Sequence, residues 1–101
     1  MLRKFITERA KVHLADIRRI TRNQWGAAQS IKYLQEIGNK VDLLAQKPQI
    51  GIDRSGDLGS GIRSYFVGSH TIYYQYDSKL LVVHAILHQP MTPLTHLTSS
   101  T

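Results

Sequence analysis

The chain has 101 residues, enough for one domain with a single core. Hydrophobic residues make up 42% and charged residues 20%, ordinary globular usage that excludes wholesale disorder. Lys and Arg total 13 against 7 Asp and Glu, a net charge of +6 that suits an acidic partner, whether nucleic acid or protein; the absence of cysteine excludes disulfides, thiolate metal sites and cysteine nucleophiles.

Met1-Leu2-Arg3-Lys4 opens the chain with basic residues, but no long apolar run follows, so neither a secretory signal nor a membrane span is expected. A cytoplasmic protein is the expectation. Residues 2–7 predict a short opening strand around Phe5 and Ile6. From Glu8 the period changes: Ala10, Leu14, Ile17, Ile20 or Thr21, and Trp25 recur at steps of three and four, one face of a helix. Thr7 ahead of Glu8 supplies a hydroxyl cap for its first turn. Trp25-Gly26-Ala27-Ala28 predicts a helix end and an immediate restart, because glycine takes a left-handed conformation without a Cβ clash.

The second helix is expected over residues 27–46, with Ile31, Leu34, Ile37 (or Gly38), Val41, Leu44 and Ala45 as its apolar stripe. Two such helices on a very short joint must fold back as a hairpin, each with one face to bury. Lys47-Pro48 ends the second helix. Residues 49–61 hold four glycines and predict a long flexible connection. They do not form a phosphate-binding loop: Gly51-x-x-x-x-Gly56 is followed by Asp57-Leu58, where Lys and Ser or Thr would be required.

Three strands follow, over residues 62–68, 71–77 and 80–88, joined by turns at Gly68-Ser69-His70 and Asp77-Ser78-Lys79. The last is apolar on both faces apart from His84 and His88, as an interior strand would be. The expected architecture is α+β, β-α-α-β-β-β, a helical hairpin packed on a small and mainly antiparallel sheet. Residues 1–97 are taken as one domain and residues 98–101 as a flexible tail.

Residues 61–91 gather an arginine, four tyrosines and three histidines. Simple alternation puts His84 and His88 on one side of their strand, about 13 Å apart, too far to share an ion. No metal and no cofactor are expected. Acid–base chemistry on RNA could draw on Arg63 for a phosphate and on His70, His84 or His88 for proton transfer. A sheet-face arginine paired with a carboxylate or packed over tyrosine explains Arg63 equally well. Tyr65, Tyr73, Tyr74 and Tyr76 could stack on bases, yet tyrosine is also an ordinary strand residue.

Ala10-x-x-x-Leu14-x-x-Ile17, Trp25-Gly26, Leu44-Ala45-x-x-Pro48-x-x-Gly51, Gly61-Ile62-Arg63, His70-x-Ile72-x-Tyr74 and Ile86-Leu87-His88 occur in an order that resembles the ParE branch of the RelE/ParE toxin superfamily. Met91 and His96-Leu97 suit the same pattern. The resemblance implies the toxic half of a bacterial type II toxin–antitoxin pair that inhibits DNA gyrase. It also implies neutralisation by a cognate antitoxin of the ParD-like, ribbon-helix-helix type, with a homodimer or a hetero-oligomer with the antitoxin as possible assemblies. The sister RelE branch cleaves mRNA on the ribosome, which is the alternative function, with Arg63, His70 and His88 as its candidate catalytic residues. Against it, Thr71 and Gln89 stand where RelE-type nucleases carry arginines, and residues 90–94 contain no tyrosine. Lost cations would cost several kcal/mol of barrier, so a non-enzymatic toxin is favoured. The sheet is then a docking platform, with Arg54, Arg63, Tyr65, Tyr73, His88 and Met91 as candidate partner contacts.

Overall fold

A computed structural model describes residues 1–89. Its elements are β1 (Arg3–Ile6), α1 (Glu8–Trp25), α2 (Ala27–Gln46), a 3₁₀ turn (Pro48–Ile50), β2 (Ile52–Asp53), β3 (Arg63–Val67), β4 (His70–Tyr76) and β5 (Leu80–His88). The five strands form one sheet in the order β1-β5-β4-β3-β2, with β1 parallel to β5 and every other pair antiparallel. This is the expected α+β architecture with one short strand added.

The helix boundaries follow from local chemistry. Thr7 Oγ1 accepts the Ala10 N–H at 3.1 Å and donates to the His84 carbonyl at 3.1 Å, so the cap also ties α1 to β5. Gly26, at φ 90°, ends α1 and starts α2 with no intervening loop. Such a short joint brings the helices close together near the turn, and small side chains fill the space. Thr21 Oγ1 and Ser30 Oγ lie 2.7 Å apart, both buried. Of the two candidates at that turn of the stripe, Thr21 therefore faces inward and Ile20 outward. Ile20, Trp25 and Ile31 are exposed, so the apolar stripes extend less far toward the joint than the periodicity predicts.

Farther from the joint the hairpin opens over the sheet. Ala10 and Ile17 of α1 and Ile37, Val41, Leu44 and Ala45 of α2 pack on Val67, Ile72, Tyr74, Leu81, Val83 and Ile86. Burial of each large aliphatic here contributes roughly 1.5–3 kcal/mol. The other side of the sheet carries a smaller cluster, Tyr73, Ala85 and Leu87, flanked by Leu58 and Ile62.

Two local features depart from the expectations. Residues 49–61 are no flexible connection: the Tyr74 hydroxyl donates to the Pro48 carbonyl at 2.7 Å and accepts from the Gly51 N–H at 3.0 Å. Ile52 and Asp53 then pair with Ser64 and Arg63 as the extra edge strand. The second departure lies in β5. The register shifts between Tyr73, opposite Ala85, and Tyr74, opposite Val83, so His84 is the residue left over. This bulge turns His84 to the open side, where its Nε2 lies 2.8 Å from Gln75 Oε1, whereas His88 stays on the helix side beside His70. The two histidines therefore occupy opposite faces, not the shared side that simple alternation predicts.

Candidate functional site

Among the candidate residues, Arg63 lies at one end of β3, opposite Tyr74, and its guanidinium is occupied by backbone. Nη1 donates to the Gly51 carbonyl at 2.8 Å and the Gln49 carbonyl at 3.3 Å, and the group sits 5.9 Å from the Tyr76 ring centroid. These contacts fasten the 3₁₀ turn and β2 to the sheet. Tyr74, wholly buried beneath them, has its phenol pushed up from the ordinary tyrosine range by burial.

Arg54 lies on the open side. It forms a bidentate pair with Asp57, whose nearest contact is Nη2 to Oδ2 at 2.6 Å, and its guanidinium lies 5.9 Å from the Tyr73 ring centroid. The pair raises the arginine pKa and lowers that of Asp57, each chiefly through their mutual hydrogen bonds. Leu58 and Ile62, brought in by the same loop, pack on Tyr73. Tyr65 faces the helices and is half-buried against the main core. The expected partner contacts thus divide between two sides of the sheet. Met91 lies outside the described residues, as do residues 98–101 of the expected tail.

His70 and His88 do come together. They are directly opposite in the β4–β5 ladder, with ring centroids 5.4 Å apart in an edge-on arrangement. The Tyr33 hydroxyl lies 2.6 Å from His70 Nδ1, accepts the Ser69 N–H at 3.2 Å and reaches the Val67 carbonyl at 3.2 Å. Gly68 makes this approach possible: at φ 56°, an added Cβ would lie 2.6 Å from the Tyr33 ring. Burial, then the neighbouring His88, holds His70 below the usual histidine range. Arg63 does not join the histidines. Its partner Tyr74 stands four residues along β4 from His70, about 13 Å of extended chain. Thr71, on the open side opposite Phe66 and Leu87, adds no charge to them, and Gln89 turns its amide to the Gly68 carbonyl at 3.3 Å.

A groove of about 660 Å³ opens where the two helices meet β1, an element of the site that sequence reasoning missed. Ile6, Leu14, Leu34 and Val41 supply its apolar floor, and Lys4 and Arg18 stand on its rim. Lys4 is paired with Asp42, while Arg18 has no ion pair among the described residues. The apolar stripes of both helices were the signal for this groove. Periodicity alone does not say which residues of a stripe stay open to solvent. No helix of the described residues is long and apolar enough to cross a membrane, and no group of three or more potential metal ligands is found among them.

The family model described as "ParE toxin of type II toxin-antitoxin system, parDE" matches residues 5–93. The protein named Toxin ParE1 from Caulobacter vibrioides is 29% identical over 92 residues, covering 91% of this chain and 94% of its own length. A chain from a structure titled "Chromosomal ParDE TA system from P. aeruginosa" superposes with a TM-score of 0.74 at 20% identity, over 87% of this chain and 96% of that one. That structural likeness shows that the fold is shared.

Proposed function

We propose that this chain, which belongs to the family of ParE toxins of type II toxin–antitoxin systems, inhibits DNA gyrase and is neutralised by a cognate antitoxin of ParD type. The toxin does its work by binding, without a reaction of its own. The observation that carries this reading is the separation of Arg63 from His70 and His88. A phosphate held by the arginine would lie out of reach of both imidazoles, and the Arg63 guanidinium is already engaged with Gln49 and Gly51. The antitoxin contributes an amphipathic, acidic segment: its apolar side enters the groove over Leu14, Leu34 and Val41, and its carboxylates meet the basic rim. The net charge of +6 favours such a partner over the whole surface.

The adjacency of His70 and His88 supports one alternative, a ribosome-dependent mRNA endoribonuclease. A translation reaction separates the two readings. On the gyrase reading, purified protein leaves the mRNA intact and reduces supercoiling by gyrase. Codon-positioned cuts that vanish in Arg63→Ala or His70→Ala would instead establish the nuclease. For the antitoxin, hydrogen exchange at groove residues of α1 and α2 is expected to slow on complex formation. Unchanged exchange there would move the antitoxin to another surface.

A further inference from the structure

We propose that the closed end of the helical hairpin is a contact surface for single-stranded nucleic acid, in which Trp25 stacks on a base while Arg18 and Arg22 meet phosphates. The inference does not depend on gyrase being the target. Trp25 ends α1 with its side chain 53% exposed, a large apolar ring left in water where the helix stripe predicts burial. The ring is nevertheless held. It stands edge-on to Tyr33, with centroids 6.0 Å apart, and Tyr33 is fixed in turn by Val67, Ser69 and His70.

Beside the indole is a hollow of about 340 Å³ lined by Gln29, Lys32, Tyr33 and Glu36 as well. A second hollow, on α1, is bordered by Arg18, Arg19, Arg22 and Asn23. Arg19 is paired with Asp16 at 3.6 Å, but Arg18, Arg22 and Lys32 have no ion pair among the described residues. Arg18 and Arg22 stand one turn apart, about 6 Å along the axis. The Thr21–Ser30 hydrogen bond locks α1 to α2 at this level, so the cations and the indole are carried on one rigid frame.

Charge complementarity selects a polyanion, and the exposed tryptophan decides which kind. An acidic peptide needs only the cations. An unstacked base also uses the indole, and the amides of Gln29 and Asn23 can meet its edge. Glu36 is the one carboxylate lining the first hollow, at i+4 from Lys32, and it disfavours phosphate on that side. The strand therefore runs along α1 with a base at Trp25.

Trp25 is the sole tryptophan, so intrinsic fluorescence reports on the surface directly. The full chain is titrated with a 15-nucleotide oligothymidine, with an abasic strand of equal length and with a poly-glutamate peptide. Saturable quenching by oligothymidine, at an affinity about tenfold above both controls, is the expected result. With labelled oligothymidine followed by anisotropy, Trp25→Ala is expected to lose about tenfold, and Trp25→Phe to stay within a few-fold. Arg18→Gln with Arg22→Gln is expected to flatten the slope of log affinity against log salt by about 1.4, since each single-strand phosphate contact contributes about 0.7. Circular dichroism spectra that match the parent exclude misfolding. Equal affinity for oligothymidine and the abasic strand, or no loss in Trp25→Ala, would overturn the proposal. Tighter binding of poly-glutamate would also overturn it, assigning the surface to an acidic protein segment.

Discussion

Tyr74 shows how much one side chain can organise. Its ring belongs to the main core, and its hydroxyl holds the chain between α2 and β2 through Pro48 and Gly51. A Cβ on Gly51 would stand 2.1 Å from that hydroxyl. Gly51→Ala is therefore expected to destabilise the protein by about 2 kcal/mol, in the range of overpacking. Tyr74→Phe alone loses a buried hydrogen-bonding group at about 1–2 kcal/mol but makes room, so the double variant should cost less than the sum. Chemical denaturation of the four proteins measures this, and strict additivity would contradict the contact. His70 carries a pH signature. Burial and His88 lower its pKa in the folded state, and burial with the nearby Arg9 does the same for His84. The unfolded chain then binds protons more readily than the folded one. Stability is full above the ordinary histidine range and falls as pH drops below about 6.5. Urea unfolding between pH 7.5 and 5.5 should show that decline, and His70→Gln should reduce it.

At the scale of elements, α1 and α2 are held together near Gly26 by hydroxyls and farther out by aliphatic packing. Thr21→Val removes the hydrogen bond to Ser30 and the one from Thr21 Oγ1 to the Ile17 carbonyl, while keeping the volume. It is expected to lower stability by about 1–2 kcal/mol, and Thr7→Ala, which loses a helix cap, by about 1 kcal/mol. Thermal unfolding checks both. The helices, the Thr7 cap, the Gly26 joint and the three long strands were legible in the sequence, because periodicity and capping are local. The parallel pairing of β1 with β5 was not, since nothing in residues 3–6 states which strand they join. Nor was β2, because two residues carry no period and their pairing depends on contacts made by Arg63 and Tyr74. The bulge at His84 was hidden for a related reason: a strand that is apolar on both faces gives no alternation from which a one-residue shift could be read. Consequently the pairing of His70 with His88 was accessible only from the register, and the independence of Arg63 from both only from the fold.

For the whole molecule, the helix-side groove and the open side of the sheet are distinct surfaces. The family resemblance already implied a toxin from motif order alone, and the matched span of residues 5–93 bears that out. The surfaces that would receive partners were far less legible, because they include residues the helix stripes predict to be buried: Leu34 is only partly so, and Trp25 is exposed. If the groove receives the antitoxin, Leu34→Glu should weaken toxin–antitoxin affinity by tenfold or more while leaving the free toxin folded; calorimetry with the purified antitoxin would measure it. The toxin's target is DNA gyrase on the proposed reading. That reading is tested most directly by incubating purified protein with DNA gyrase, ATP and relaxed plasmid, with and without the antitoxin, and scoring both supercoiling and protein-linked cleaved DNA. Dose-dependent loss of supercoiling, trapped cleavage complexes, and reversal of both by the antitoxin are the expected result. Undiminished supercoiling with no cleaved DNA, at toxin in molar excess over gyrase, would contradict it.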